Sequence, residues 1–221
     1  SSGAGAADDA LLAHLAQLTQ PFPAGARFQL LALDAWHDSQ GRRDNDRSHF
    51  WVGNDYCAQV VARWPQRFEW AASVHPYRPD AAQAIAQAAD RGARALKWIP
   101  AAQGIDPASP RCDAAYEAIA RHRLPLISHG GQERAAPGDD GLGNPLRLRR
   151  ALEHGVTVIV AHCASMGEDR DLDRAADGSG PWVESFALFE RMMDEPAHAG
   201  RLYGDLSALT QRARAGRPLR R

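Results

Sequence analysis

The sequence has few of the features that mark membrane, secreted or nucleic-acid-binding proteins. No apolar run approaches the ~20 residues that a membrane span needs, and the N-terminus lacks the charged segment and apolar core of a secretion signal. The formal net charge is -1, and no basic stripe alternates with aromatic residues, which argues against a nucleic-acid partner. We therefore expect a cytoplasmic protein that acts on a small molecule, has no membrane partner and could form a homo-oligomer.

Cysteine and lysine are both scarce. The three cysteines, Cys57, Cys112 and Cys163, are an odd and widely spaced set without a CxxC motif. This argues against a disulfide framework and favours a reducing compartment. Lys97 is the single lysine, and all the other basic residues among the 26 are arginine. A composition that uses arginine everywhere else is expected to keep a lysine where arginine would not serve.

Short apolar runs alternate with amphipathic segments along the 221 residues, which is typical of βαβ units and a parallel sheet. The apolar runs are continuous, as expected of strands covered on both faces. The predicted strands are 28–33, 68–74, 93–98, 124–128, 157–161 and 202–206. The predicted helices are 55–63, 80–91, 113–122, 146–154 and 183–194, and the predicted long loops are 136–143 and 167–181. Gly92 and Gly155 stand where helix C-terminal glycines are expected.

This pattern predicts an α/β fold, a TIM-like (β/α) barrel that is incomplete in this chain. About six βα units are visible, whereas a closed barrel has eight strands in roughly 250 residues. We expect residues 1–221 to form a single barrel domain of a longer chain, with one further unit before Ser1 and one after Arg221. A doubly wound open sheet is the rival, weakened by the lack of a glycine-rich phosphate motif after any strand.

Two neighbouring predicted strands end in histidine. His129 follows the apolar run of 124–128, and His162 follows that of 157–161. Taken alone, each of them is most simply explained as a strand-end histidine that is hydrogen-bonded to a neighbouring loop. Together they place two imidazoles at adjacent points of the rim that carries function in (β/α) barrels. Imidazole is the commonest metal ligand and the natural acid or base near neutral pH, so the pair favours a metal or catalytic site.

Three further residues are candidates for the same rim. Lys97 lies on the strand before the one that ends at His129, and a buried amine can lose its proton or be carboxylated into a metal ligand; chance retention of a snorkelling lysine is the alternative. Asp205 ends the strand 202–206 and could orient a histidine or cap the following helix. Glu133 could hydrogen-bond substrate or lie on the surface. Asp34 and His75 also end strands, with weaker claims.

Four segments in this order resemble the second amidohydrolase family, which includes metal-dependent hydrolases and nonoxidative decarboxylases. They are GARALK at 92–97, LPLISHGG at 124–131, VIVAH at 158–162 and YGDLSA at 203–208. The resemblance implies a divalent metal, usually zinc, bound by His129. It implies that His162 is a second ligand or the acid/base, and that Lys97 matches a position that some members carboxylate. The family's first-strand His-x-His pair and last-strand aspartate have no counterpart in the sequence.

The leading interpretation is a metal-dependent hydrolase of a small carboxylate-containing lactone, amide or ester, with His162, Lys97 and Asp205 as catalytic residues and Glu133 as a substrate-binding residue. His129 and His162 are the expected metal ligands. One alternative is nonoxidative decarboxylation of an aromatic or unsaturated acid on the same scaffold. The other is a noncatalytic barrel remnant that acts as a binding module, a hypothesis that follows from the incomplete ligand set.

Overall fold

The computed structural model describes residues 2–134, 136–175, 177–212, 214 and 218. The strands are β1 (Phe28–Leu31), β2 (Phe68–Ala72), β3 (Ala95–Trp98), β4 (Leu126–His129), β5 (Val158–Ala161), β6 (Glu168–Arg170), β7 (Trp182–Glu184) and β8 (Leu202–Gly204). The helices are α1 (Ser2–Leu18), α2 (Asn54–Arg63), α3 (Ala81–Asp90), α4 (Pro100–Gln103), α5 (Asp113–Arg121), α6 (Arg149–Glu153) and α7 (Ser185–Asp194). None of these helices is long and apolar enough to cross a membrane.

Six strands form one parallel sheet in the order β1-β2-β3-β4-β5-β8. All the pairings are parallel, with Phe28 opposite Phe68 at one edge and Val158 opposite Leu202 at the other. The spatial order follows the chain order throughout, whereas a doubly wound sheet reverses direction at a switch point. The rival fold is therefore excluded, and the prediction of an incomplete (β/α) barrel is confirmed.

The sequence located the six sheet strands and five helices but misjudged several bounds. The strands β1, β2 and β8 end before the predicted bound, whereas β3, β4 and β5 begin after it. The predicted helix 146–154 is divided into a 3₁₀ turn at Pro145–Leu148 and α6. The predicted loop 167–181 contains β6, which pairs in antiparallel fashion with β7. Helices α1 and α4 were not predicted.

The core lies between the sheet and its helices. All four residues of β3 are buried, and α3 buries Ile85 while α5 buries Tyr116 and Ile119. Gly92 and Gly155 have φ values of 85° and 79°, in the left-handed region that a helix C-terminal glycine adopts, as predicted. All three cysteines are free and buried.

His75 is a buried histidine that the fold holds in its neutral form. It is fully buried after β2; its Nε2 lies 2.9 Å from the Gln103 carbonyl oxygen, and the Tyr77 amide donates to its Nδ1 over 3.2 Å. Nδ1 must therefore be unprotonated, and Nε2 carries the hydrogen. Burial lowers the pKa of His75 to about 4.

We expect this histidine to make stability fall as the solution is acidified. The pKa of His75 is lower in the folded state than in the unfolded state, so its contribution is complete above pH 6.5 and is lost as the pH falls towards 4. At about 1.4 kcal/mol per pKa unit, the loss is on the order of 3 kcal/mol. Urea unfolding at several pH values measures it. His75→Gln should flatten the slope across this window, while replacing the exposed His49 by Gln should not; an unchanged slope in His75→Gln would contradict the assignment.

Candidate active site

Four of the sequence-predicted site residues lie at the same end of neighbouring strands. Lys97 is in β3, His129 ends β4, His162 follows β5 and Asp205 follows β8. These strands are adjacent and parallel, so their carboxyl ends meet at one rim. The His129 and His162 rings lie 5.5 Å apart between centroids at an interplanar angle of 70°. The fold thus brings together residues that are separated by more than a hundred positions in the chain.

Lys97 is buried in this cluster, with 6% of its surface exposed. Burial lowers the pKa of its amine to about 8, against the opposing effect of the Asp205 and Glu133 carboxylates. Its positive charge in turn contributes to the lowered pKa of both His129 and His162. An amine in this state holds a usable neutral fraction near pH 7, which an exposed lysine does not.

His129 is a neutral imidazole enclosed by its own loop. It is 3% exposed; its Nε2 lies 3.2 Å from the Gln132 carbonyl oxygen, and its Nδ1 lies 3.5 Å from Glu133 Oε2. Burial lowers the pKa of His129 to about 4, with Glu133 opposing the shift. Donation from Nε2 to the Gln132 carbonyl leaves a lone pair on Nδ1. The sequence-predicted Glu133 therefore faces the nitrogen that is free to accept a proton or bind a metal.

His162 is oriented by a short hydrogen-bonded chain to Asp205. Its Nδ1 lies 2.8 Å from Ser207 Oγ and 3.0 Å from the Ser207 carbonyl oxygen. The Ser207 hydroxyl donates to Asp205 Oδ1, which also accepts from the His162 amide over 3.0 Å. Nδ1 is therefore the protonated nitrogen, and Nε2 carries the lone pair of a general base. Burial is the main cause that lowers the pKa of His162.

Asp205 stays ionised in this chain. Burial alone would raise its pKa, but the hydrogen bonds from the Ser207 hydroxyl and from the amides of His162 and Ser207 outweigh it, so the net pKa is lowered. In the described part of the chain no helix directly follows Asp205, and its carboxylate accepts from the Ser207 amide in a turn instead. It fixes the loop after β8 against the loop after β5.

The turn that carries His162 is strained. His162, Cys163 and Ala164 have consecutive φ values of 56°, 53° and 48°. For residues other than glycine this left-handed backbone costs roughly 1–3 kcal/mol each, and such strain concentrates at functional sites. The Asp205 carboxylate, which accepts from the His162 amide, is one of the contacts that hold the turn in place.

Sequence reasoning missed two residues of this cluster. Ser207 stands two positions after Asp205 in the segment that carried the family resemblance, so the motif itself could have indicated it. Arg214 is 8% exposed. Its positive charge contributes to the lowered pKa of His162. Burial lowers the pKa of Arg214 itself, and the Glu133 and Asp205 carboxylates oppose that shift. No sequence signal distinguishes it from the other arginines of the C-terminal segment.

The weaker candidates Asp34 and His75 belong to a separate polar group. Asp34 Oδ2 accepts from the His75 amide over 2.8 Å and from Arg78 Nη1 over 2.9 Å, and Asp34 Oδ1 accepts from the Ala35 amide. Gln103 Nε2 donates to the Asp34 carbonyl oxygen over 3.0 Å. These contacts tie the loops after β1, β2 and β3 to one another.

The donors at the rim form at most part of a metal site. His129 Nδ1 and Glu133 Oε2 are 3.5 Å apart, a separation that two ligands of one cation can have. Within the described ranges, however, no group of three or more His, Cys, Asp or Glu side chains could hold a metal ion. A catalytic zinc site uses about three protein ligands. These residues alone do not complete such a site.

Comparison with known proteins gives one match to a family. The sequence model of the family described as amidohydrolase matches residues 4–220, which is nearly the whole chain. No curated protein matches.

Several solved structures are similar over part of their length. A 5-carboxyvanillate decarboxylase from Sphingomonas paucimobilis has 16% identity and a TM-score of 0.46, over 69% of this chain and 52% of that one. An uncharacterised TIM-barrel protein from Bordetella bronchiseptica has 18% identity and a TM-score of 0.48, over 79% of this chain and 53% of that one. A manganese-bound mutant of a 5-carboxyvanillate decarboxylase from Novosphingobium aromaticivorans has 19% identity and a TM-score of 0.38, and the match covers 50% of this chain and 38% of that one. The chain thus spans about half the length of the first two.

Proposed function

The chain belongs to the amidohydrolase family, and on this premise we propose that it contributes the acid/base half of an active site that hydrolyses a small carboxylate-containing lactone, amide or ester. The observation that carries the proposal is the orientation of His162. Its Nδ1 is engaged by Ser207, so the lone pair of its Nε2 is available beside Lys97 and His129.

In this proposal His162 moves the proton. Its Nε2 takes a proton from water as the water oxygen bonds to the substrate carbonyl carbon. The protonated imidazole then gives that proton to the leaving oxygen or nitrogen as the carbon–oxygen or carbon–nitrogen bond breaks. A pKa below the ordinary histidine value keeps His162 unprotonated at neutral pH, which is the form a general base needs.

Lys97, Asp205 and Glu133 have supporting roles. The readily deprotonated amine of Lys97 lies at the same rim and shares proton transfer at the carbonyl. Asp205 is a positioning residue that acts through Ser207 on His162. Glu133, beside His129 Nδ1, hydrogen-bonds a donor of the substrate.

The divalent metal stays a prediction from the family resemblance, with zinc as the first expectation and His129 as its expected ligand. His162 has one available lone pair, on Nε2, so it would be a second ligand only in place of its role as the general base. When bound, such an ion would lower the pKa of water and polarise a carbonyl. Elemental analysis of the purified protein, before and after dialysis against a chelator, measures both its identity and its retention.

The reaction class is tested by incubating the protein with lactones, amides and aromatic acids in ¹⁸O-labelled water. Hydrolysis places one labelled oxygen in the product carboxylate. Nonoxidative decarboxylation, the alternative on the same scaffold, releases carbon dioxide without consuming water, and this result would contradict the hydrolase proposal. An absence of turnover on every compound would favour the noncatalytic binding module instead.

A further inference from the structure

A cavity of about 830 Å³ lies apart from the candidate active site, between α2 and α3. It is lined by Trp70 of β2, by residues of both helices and by the loop after β1. Lys97, His129 and His162 do not line it. Ligand pockets commonly measure about 300–1,000 Å³, so this cavity is large enough to hold a small molecule of its own.

The lining presents hydrogen-bond donors that lack acceptors. The N-cap of α2 is Gly53, which provides no side-chain cap, and the backbone amides of Asn54, Asp55 and Tyr56 donate to no described residue. Trp70 is 1% exposed, and its indole N–H also has no acceptor in the described part of the chain. A buried N–H group without an acceptor is costly. These donors therefore favour a ligand that brings acceptor oxygens or nitrogens.

Arg43 adds a positive charge beside these donors. Its guanidinium carbon lies 4.8 Å from the centroid of the Trp51 ring. The same ring packs against the start of α2, where a Cβ at Gly53 would lie 3.3 Å from Trp51 Cζ2. Arg43 forms no ion pair within the described ranges. A guanidinium next to a helix N-terminus favours the binding of an anion.

The carboxylates on the lining leave this charge largely uncompensated. Asp34 is paired with Arg78 over 2.9 Å, and Asp55 is paired with Arg91. Asp8 of α1 is exposed, where water and salt screen its charge. The cavity therefore combines an unpaired guanidinium with amide donors on one side.

We propose that this cavity binds a phosphorylated compound that carries a flat aromatic ring, such as a mononucleotide. A phosphate group has three oxygens, which can accept from the first amides of α2 and from the Arg43 guanidinium. The rings of Trp51 and Tyr56 line the cavity and are 54% and 36% exposed, so they offer faces on which the ligand ring stacks. The indole N–H of Trp70 donates to a ring nitrogen. Binding here requires no turnover and does not depend on the proposed reaction.

Isothermal titration calorimetry with adenosine monophosphate (AMP), adenosine and inorganic phosphate tests the proposal. We expect AMP to bind at least about 10-fold more tightly than either fragment, because only AMP uses both the donors and the aromatic faces. Arg43→Met should raise the AMP Kd by about 10- to 100-fold, since a hydrogen bond to a charged group is worth roughly that ratio. Arg43→Lys keeps the charge and should bind AMP more tightly than Arg43→Met.

Two further variants test the ring and the specificity of the effect. Trp51→Ala removes an aromatic face and should raise the AMP Kd by about 10-fold. Arg42→Met is the matched control, because Arg42 lies in the same loop, is 75% exposed and does not line the cavity; it should change the AMP Kd by less than about twofold. Arg43 and Trp51 are both exposed, so all these variants should fold, which circular dichroism checks.

Several results would overturn the proposal. AMP binding that is undetectable in the unmodified protein, or no tighter than that of adenosine, removes the phosphate. AMP binding no tighter than that of inorganic phosphate, or unchanged in Trp51→Ala, removes the stacked ring. An equal loss of AMP binding in Arg43→Met, Arg43→Lys and Arg42→Met would show that the loop is merely perturbed and that the Arg43 charge binds nothing.

Discussion

Lys97→Met should abolish most of the activity without destabilising the protein. The amine is buried, and burial has lowered its pKa to about 8. Methionine has a similar length and no charge, so it removes the cost of a desolvated cation while filling the same space. We expect kcat/KM to fall by at least ~100-fold, the usual size of an acid/base contribution. The urea midpoint should stay the same or rise. Activity and unfolding measured on one preparation check both.

Lys97→Arg separates charge from proton transfer. Arginine keeps a positive charge but does not deprotonate in proteins, and its guanidinium is bulkier than the space around a buried amine. We expect a loss as large as in Lys97→Met. Arg94→Met is the matched control, since Arg94 precedes β3 and its side chain is 67% exposed; it should change kcat/KM by less than about twofold, because exposed charge pairs contribute little.

The pH dependence gives an independent readout of Lys97. Both proton abstraction and carboxylation need the neutral amine. The kcat/KM of the unmodified protein should therefore rise as the pH increases through about 8. If Lys97→Arg retained wild-type turnover and metal content, the single lysine would be a compositional accident, and the site would rest on the two histidines.

His162→Asn is expected to lower kcat by about 10²- to 10⁴-fold, the range for loss of a general acid/base. Asparagine is the informative substitute because His162 has a φ of 56°, and asparagine tolerates the left-handed conformation better than other non-glycine residues. The variant therefore removes the imidazole without adding backbone strain. Steady-state kinetics with circular dichroism measures the effect, and retention of activity within about threefold would remove His162 from the proposed mechanism.

Ser207→Ala tests how His162 is positioned. Ser207 links His162 Nδ1 to Asp205, and it is not assigned a contact with substrate. Its loss leaves the Ser207 carbonyl oxygen, 3.0 Å from Nδ1, as the remaining acceptor. We expect a kcat loss of about 10-fold with KM nearly unchanged, smaller than that of His162→Asn. An effect on KM alone would indicate that Ser207 binds substrate instead.

The sequence by itself determined the class of fold and the strand ends that form the rim. Continuous apolar runs separated by amphipathic segments specify buried parallel strands with crossover helices. A residue that directly follows such a run, such as His129 or His162, must then lie at the carboxyl end of the sheet. The sequence is sufficient for this inference, because the apolar pattern of a strand and the direction of the chain can both be read from a few neighbouring residues.

The tertiary structure decided which of these residues come into contact and which protonation state each of them has. The lowered pKa values of Lys97 and His129 arise from burial, which depends on elements far apart in the chain. The hydrogen bond that orients His162 crosses from the loop after β5 to the loop after β8. Arg214 illustrates the limit most clearly. Among arginines that are alike in sequence, only packing determines which one is desolvated, because desolvation is a property of the assembled surroundings.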